Sequence, residues 1–239
     1  MRRTRESMKR LLYGLLRRHS QDFRARTDLF DDYYEKRADW SSGLGHGNHL
    51  LYAIVRCLAP EVVVEIGSAR GKSTCSMALA CKHNLRGKVY AIDPHVPNAW
   101  SEYGTAGYNE SFLRGRLRDY GLSDYCEVIK DTSQAVGQRW SQSIDFLFID
   151  GDHSYDGVKA DYERFAPWLR EGALVFFHDT TWDEASWKEV KSTMKCPDEM
   201  GVPRFLGDLK SAGLQSVTFA PLPGMTILDP KKGGFEFPR

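Results

Sequence analysis

Two aspartates stand directly after apolar runs of strand length. Asp150 follows residues 146–149, and Asp179 follows residues 173–178. Strands at the middle of an open parallel sheet end close together, so carboxylates at such ends can present several oxygens to one hard cation. His153 comes three residues after Asp150, and an imidazole is suited to accepting a hydroxyl proton at about pH 7. The spacing predicts metal-assisted acid–base chemistry; the alternative is that these residues only cap helices or form turns.

A glycine-rich segment earlier in the chain is suited to an anionic ligand. In EIGSARGKS, residues 65–73, Gly67 and Gly71 allow a tight turn and a close backbone approach before a helix N-terminus. Asp93 follows the next apolar run, at a position from which a carboxylate accepts hydrogen bonds from ribose hydroxyls. The pair indicates an adenosine-containing ligand, and the dinucleotide fingerprint GxGxxG is absent. These residues alone do not distinguish a nicotinamide dinucleotide from S-adenosylmethionine, and such a turn also occurs for packing alone.

Short β-branched or aromatic runs alternate with helical stretches after Pro60. Strands are expected at 62–67, 88–93, 126–130, 145–150, 173–178, 214–219 and 225–228. Helices are expected at 49–58, 71–84, 109–120, 133–140, 155–170 and 203–212. The alternation predicts a doubly wound, Rossmann-like α/β fold, with a seven-stranded, mostly parallel sheet and an antiparallel C-terminal strand. We expect this domain at 46–239, after an N-terminal helical extension or lid at 1–45.

The composition argues for an ordinary globular domain. Hydrophobic residues make up 41% of the chain and charged residues 27%, and no apolar run is long enough to span a bilayer. The net charge of +1 gives no reason to expect a DNA partner or a membrane contact. Five cysteines without CxxC spacing are expected to be reduced, as in a cytoplasmic protein.

Charge is concentrated at the N-terminus. Residues 2–18 carry seven arginines and lysines against Glu6 alone, with leucines at helical spacing. This pattern predicts a basic amphipathic helix. We expect it to pack on the domain or to form a homo-oligomer, and the alternative is contact with a membrane surface or with nucleic acid.

Residues 46–229 resemble the class I S-adenosylmethionine-dependent methyltransferases, especially the catechol, caffeoyl-CoA and macrocin-type O-methyltransferases. EIGSARGKS is similar to their first motif, which implies that Ser73 and the loop amides hold the methionine carboxylate. The resemblance also implies that Glu65 orients the loop or the cofactor amine and that Asp93 holds the ribose. The segment DTSQ, residues 131–134, resembles the catechol enzymes' segment beside the adenine. The implied cofactor-binding residues are Glu65, Gly67, Ser68, Gly71, Ser73, Asp93, Asp131, Ser133, Gln134, Asp150 and Tyr155.

The segments DFLFIDGDHSY, residues 145–155, and FFHDTTW, residues 176–182, carry the most specific part of the resemblance. In the caffeoyl-CoA pattern the corresponding acids bind Mg²⁺, which implies Asp150 and Asp179 here. The third protein ligand is left open between His178 and Thr180, because each replaces a residue of a related pattern. His153 occupies the place of the catechol enzymes' general-base lysine, which implies a catalytic base beside Asp150; the alternative is a helix cap.

The resemblance implies methyl transfer from S-adenosylmethionine to a hydroxyl of a small molecule such as a natural product, a sugar or a phenol. One alternative is an RNA or protein methyltransferase, although the Asn/Asp-Pro-Pro-Tyr motif frequent in such enzymes is replaced by IDGDH. Another is a non-methylating homologue of the cephalosporin-hydroxylase type. Loop residues at the same end of the sheet are candidates for substrate contact: His46, His49, His95, Trp100, Tyr103 and Tyr108.

Overall fold

The structure is a computed structural model that describes residues 40, 42–97, 106–191, 200–219 and 223–230. The chain divides into two units, residues 1–40 and 41–239, and the elements below belong to the second. The predicted N-terminal helix, together with Trp100 and Tyr103, lies outside the described residues.

Helices and strands alternate through the described part of the chain. The helices are α1 Gly47–Leu58, α2 Lys72–Asn84, α3 Ala106–Asp119, α4 Ser133–Arg139, α5 Tyr155–Phe165, α6 Glu184–Lys191 and α7 Gly201–Ser211. The strands are β1 Val62–Ile66, β2 Lys88–Ile92, β3 Cys126–Ile129, β4 Ile144–Ile149, β5 Leu169–His178, β6 Ser216–Phe219 and β7 Met225–Leu228. None of the helices in these ranges combines the length and the apolar character that a bilayer crossing requires.

The strands form one seven-stranded sheet in the order β3-β2-β1-β4-β5-β7-β6. Strands β1 to β5 pair in parallel, and β7 runs antiparallel to both of its neighbours. This confirms the predicted doubly wound fold with an antiparallel C-terminal strand. The order in which strands are added to the sheet reverses between β1 and β4. The carboxyl ends of these two strands border the crevice where such folds bind ligands.

The central strands are apolar because helices cover both faces of the sheet. All six residues of β4 are buried, and the aromatic rings of Phe146 and Phe176 pack 4.9 Å apart across β4 and β5. Asp145 is the charged residue within β4. Its carboxylate accepts the backbone N–H groups of Glu61 and Val62 at 2.6 and 2.7 Å, which fixes the start of β1 beside β4.

The structure differs from the sequence prediction at several element boundaries and by one additional helix. The helix expected at 155–170 ends at Phe165, because Pro167 limits the chain to a short 3-10 turn, Ala166–Trp168. Strand β5 therefore begins at Leu169 and not at residue 173, with residues 170–172 exposed. Helix α6 was not predicted. Its eight residues include one buried hydrophobic side chain, Trp187, so the sequence shows no repeated apolar spacing that would indicate a helix.

Candidate active site

The glycine-rich turn after β1 brings two strand ends into contact. Gly67 has a φ of +90° and its amide donates to the Ile92 carbonyl at 2.9 Å. A Cβ at this position would lie 2.0 Å from the Asp150 carbonyl oxygen, so only glycine fits between β1 and β4. Gly71, at φ +88°, begins α2 without a side-chain cap. The N-terminus of α2 therefore keeps backbone amides for a ligand.

Glu65 lies beneath this turn and is fully buried. It accepts hydrogen bonds from the hydroxyl of Ser73 and, at 2.5 Å, from that of Thr74. Burial raises the pKa of Glu65 to about 8, although both hydroxyls oppose the shift. The structure thus turns the Ser73 hydroxyl toward Glu65, whereas the resemblance assigned it to the cofactor carboxylate. Thr74 was missed by the sequence reading, since nothing in its spacing distinguishes it from a core threonine.

Asp93 links the loops that follow β1 and β2 through hydrogen bonds. Its carboxylate accepts the Ala69 amide at 2.8 Å and the His95 amide at 2.6 Å. Beside it, the Ser68 hydroxyl and both ring nitrogens of His95 are buried and have no hydrogen-bond partner among the described residues. These groups lie where the sequence places the ribose; cofactor binding by Ser68 and Asp93 and substrate contact by His95 stay predictions.

The residues predicted beside the adenine make internal contacts. Asp131 accepts the Thr132 amide at 2.8 Å and pairs with Arg139 at 2.8 Å. The Ser133 hydroxyl donates to Asp161 at 2.5 Å, and burial raises the pKa of Asp161 to about 6. Gln134 is exposed at the start of α4. The sequence reading missed Asp161, because its place in α5 is that of an ordinary helix acid.

Tyr155, predicted as a wall of the adenine pocket, faces helix α7. Its hydroxyl donates to Asp208 at 2.6 Å, and the Arg204 guanidinium lies 4.6 Å from its ring centroid. The close approach of Gly201, where a Cβ would lie 1.9 Å from the Tyr155 backbone nitrogen, fixes α7 against the start of α5. A contact of Tyr155 with adenine stays a prediction.

Two acids and two imidazoles meet where β4 and β5 end, and we call Asp150, His153, His178 and Asp179 the acid–imidazole cluster. His178 Nδ1 lies 2.9 Å from an Asp150 oxygen and 3.2 Å from an Asp179 oxygen. His153 spans the same pair, with Nε2 3.4 Å from Asp150 and Nδ1 3.3 Å from Asp179. The sequence reasoning named all four residues, and the structure brings them together.

Helix and strand ends fix the two acids. The Asp150 amide donates to the Ile66 carbonyl at 2.8 Å, so Asp150 extends the β1–β4 pairing. Asp179 adopts a left-handed backbone at φ +58°, and Trp182 Nε1 donates to its carboxylate at 2.8 Å. A non-glycine residue in this region is strained, and such strain concentrates at functional sites. Trp182 was not predicted, because the sequence does not show that its indole N–H would donate to an acid three residues earlier in the chain.

The charges of the cluster stabilise one another. Burial alone would raise the carboxylate pKa values and lower those of the imidazoles. The nearby imidazoles nevertheless hold the pKa of Asp150 and of Asp179 below the usual range. The carboxylates in turn raise the pKa of His153, and they raise that of His178 further. The cluster is therefore a group of paired charges in which His178 and Asp179 are buried and Asp150 and His153 are partly buried.

The cluster also has the donor set of a metal site. Asp150, His153 and Asp179 each offer a ligand atom, and these atoms lie within 4.8 Å of one another. The Thr180 hydroxyl, predicted as a third ligand, is buried beside them and has no hydrogen-bond partner among the described residues. Carboxylate oxygens suit hard divalent cations, and imidazole suits transition metals.

The predicted substrate-contact residues fall at the same edge of the sheet where they are described. His46 and His49 flank the start of α1, with ring centroids 6.0 Å apart. His95 is buried just after β2. Tyr108 lies in the first turn of α3, and its side chain is outside the described residues.

The sequence is similar to a protein family and to one curated protein. Residues 64–180 match a family model described as a methyltransferase domain. Over 152 residues, or 62% of this chain, the sequence is 28% identical to an uncharacterised protein, y4gI, of Sinorhizobium fredii. The matched segment spans 16% of that protein, so that relative is a much longer chain.

Solved structures share the fold at low sequence identity. Cofactor-bound Rv0187 from MTB superposes with a TM-score of 0.61 at 16% identity, covering 85% of this chain and 88% of that one. An O-methyltransferase from Bacillus cereus in complex with SAH gives 0.60 at 17%, covering 85% and 89%. The O-methyltransferase TomG from Streptomyces achromogenes, in complex with SAM, gives 0.58 at 16%, covering 85% and 88%.

The matched family segment, 64–180, includes the glycine-rich turn, Asp93 and the whole acid–imidazole cluster. The sheet order and the fold of the similar structures agree with that match. By this segment the chain is similar to the methyltransferase-domain family, and it shares its fold with solved O-methyltransferases.

Proposed function

We propose that the protein transfers a methyl group from S-adenosylmethionine to a hydroxyl of a small molecule, with a divalent cation held at the acid–imidazole cluster. One observation carries the proposal. Asp150 and Asp179, at the ends of adjacent strands, face the same two imidazole rings at 2.9–3.4 Å, next to the glycine-rich turn.

The turn and the neighbouring strand ends would bind the cofactor. The open amides at the start of α2 suit the methionine carboxylate, and Asp93 suits the ribose hydroxyls. The cofactor supplies an electrophilic methyl group on a sulfonium, which is already a good leaving group. The protein's main tasks are therefore to orient the acceptor oxygen and to remove its proton.

Asp150 and Asp179 would hold the cation, and Mg²⁺ or Mn²⁺ suits two carboxylates. A bound divalent cation lowers the pKa of a hydroxyl that coordinates it. His153 lies between the two acids, and the charge of a bound cation would lower its pKa, so that the neutral ring would accept the proton of the acceptor hydroxyl. Asp150 and Asp179 orient this ring from both sides, since each nitrogen faces one carboxylate. His178 and the Thr180 hydroxyl are the remaining donors for the cation.

A panel of phenols, sugars and polyketide alcohols, assayed for S-adenosylhomocysteine release, would test the proposal. Asp150→Asn and Asp179→Asn should each reduce turnover by orders of magnitude and weaken Mn²⁺ binding, while S-adenosylhomocysteine affinity stays nearly unchanged. Asp183→Asn is the matched control, because the hydrogen bonds of this exposed carboxylate to described residues stay within its own turn, at Ser186. Full activity in excess EDTA would contradict the metal assignment.

The role of His153 is separable from that of the two acids. His153→Ala should reduce the rate about 10²-fold, a typical contribution of a general base, with Mn²⁺ affinity retained. Loss of Mn²⁺ binding in this variant, measured by calorimetry, would show that His153 is a ligand and not the base.

A further inference from the structure

We propose that the N-terminal turn of α1, together with Lys72, binds an anionic group of the methyl acceptor, a carboxylate or a phosphate. We call Gly45, His46, Gly47, Asn48, His49 and Lys72 the α1 anion site. This inference rests on the proposed function, because it specifies the chemistry of the acceptor.

Asn48 gives the first evidence. It lies in the first turn of α1 and is 0% exposed. Neither the oxygen nor the nitrogen of its side-chain amide has a hydrogen-bond partner among the described residues. An amide enclosed without partners is costly, and such groups in native proteins call for an explanation such as a missing ligand.

The helix terminus supplies a second, independent attraction for an anion. Helix α1 has twelve residues, no acid in its first turn and no side-chain cap at His46. The Gly47 and His49 amides donate to the Leu44 and His46 carbonyls, so the positive end of the helix dipole supplies the attraction for a negatively charged group. The Asn48 amide nitrogen can donate to the same group.

Positive charge is placed beside this terminus. Lys72 Nζ donates to the Gly45 carbonyl at 2.9 Å, one turn before Asn48. Burial lowers the pKa of His49; a hydrogen bond with the His46 backbone opposes this shift, and the charges of His46 and Lys72 add to it. Burial also lowers the pKa of Lys72. An anion bound here would stabilise the lysine charge.

The position of the turn points to the acceptor. On one side, Gly45 contacts Lys72 at the start of α2, beside the cofactor turn. On the other, a Cβ on Gly47 would lie 2.5 Å from the Met225 sulfur, and Met225 pairs with His178 of the acid–imidazole cluster. The α1 anion site thus spans from the cofactor turn to the end of β5, where the acceptor hydroxyl would lie. The start of α2 has its own open amides for the cofactor carboxylate.

Calorimetric titration of the full chain, saturated with S-adenosylhomocysteine, with inorganic phosphate at constant ionic strength tests the site. Lys72→Met and Asn48→Leu should each weaken phosphate binding by about tenfold or more, the size of one charge-assisted hydrogen bond. Lys72→Arg keeps the charge and should retain binding. Lys82→Met is the matched control, because Lys82 lies on the same helix and contacts the Tyr120 carbonyl. Equal phosphate affinity in all these variants would overturn the proposal.

A second titration distinguishes the acceptor from the cofactor as the source of the anion. S-adenosylhomocysteine carries the methionine carboxylate, whereas 5′-methylthioadenosine lacks it. We expect Lys72→Met to bind both as the unchanged protein does. Weaker binding of S-adenosylhomocysteine alone would assign Lys72 to the cofactor carboxylate and overturn the acceptor assignment. Failure of the unchanged protein to bind S-adenosylhomocysteine would instead refute the proposed function itself, before phosphate is added.

Discussion

At the scale of single residues, the site depends on how buried charges are compensated. The acid–imidazole cluster pairs two carboxylates with two imidazoles, so its charges persist in a low-dielectric environment. Glu65 differs: among the described residues its hydrogen-bond partners are the hydroxyls of Ser73 and Thr74, and burial raises its pKa and so favours the neutral form. The two environments lie on adjacent strands, and only the first suits a cation.

Glu65 makes stability depend on pH in a defined direction. Its pKa rises from an ordinary value of 4.5 to about 8 in the folded protein, mainly through burial. Between these values the folded state binds more protons than the unfolded state, so the free energy of unfolding decreases as pH rises. Glu65→Gln should flatten this part of the curve, measured by urea unfolding across that pH window.

Glu61→Gln provides the control for this measurement, because Glu61 is an exposed acid at the other end of β1 that pairs with Arg86. It should keep the slope of the unchanged protein. A Glu65→Gln protein with the same slope as the unchanged one would show that Glu65 is ionised across the window.

The sequence predicted the cluster residues because acids and histidines at strand ends are conspicuous in their apolar context. The assignment of Ser73 to the cofactor carboxylate stays a prediction, and in the structure its hydroxyl donates to Glu65. A hydroxyl can rotate toward either partner, and the choice depends on the depth of Glu65, which periodicity does not give. Asn48 was missed for a similar reason: an asparagine near a helix start is ordinary until its burial is known.

At the scale of elements, the site depends on the contact between the ends of β1 and β4. Gly67→Ala places a methyl group against the Asp150 carbonyl, at 2.0 Å in the present geometry. It should lower the free energy of unfolding by about 4 kcal/mol or more, in the range of the most severe substitutions, and weaken S-adenosylhomocysteine binding. Urea unfolding and calorimetry would measure the two effects.

Gly172→Ala separates backbone strain from the steric clash. Gly172 also has a positive φ, +74°, but open space surrounds its Cβ position. Its substitution should cost only about 1 kcal/mol, the price of left-handed backbone for alanine. Equal losses in the two variants would mean that the β1–β4 contact tolerates a side chain.

The strands were predictable because β1, β4 and the second half of β5 are covered on both faces and are therefore continuously apolar. The early start of β5 was not predictable, since residues 170–172 are exposed and include two charged residues, Arg170 and Glu171. The pairing of Ile144 with Leu169 across a register shift creates this extension. The start of β5 thus depends on its pairing with β4, which the local sequence pattern does not show.

At the scale of the whole molecule, the fold places every described part of the site at one edge of the sheet. The α1 terminus, the glycine-rich turn, Asp93 and the acid–imidazole cluster all lie at the carboxyl ends of parallel strands or beside them. The role of the basic segment 2–18 in oligomer formation stays a prediction. The formal net charge of +1 means that this segment is balanced by acids elsewhere in the chain.

The most direct test of the account is a calorimetric titration of the full chain with S-adenosylhomocysteine and, separately, with NAD, each in EDTA. The account predicts one-to-one binding of S-adenosylhomocysteine without metal, because the cofactor contacts come from the turn and Asp93 and not from the cation. It predicts no binding of NAD, since the dinucleotide glycine spacing is absent. Binding of NAD, with none of S-adenosylhomocysteine or S-adenosylmethionine, would contradict methyl transfer by this site.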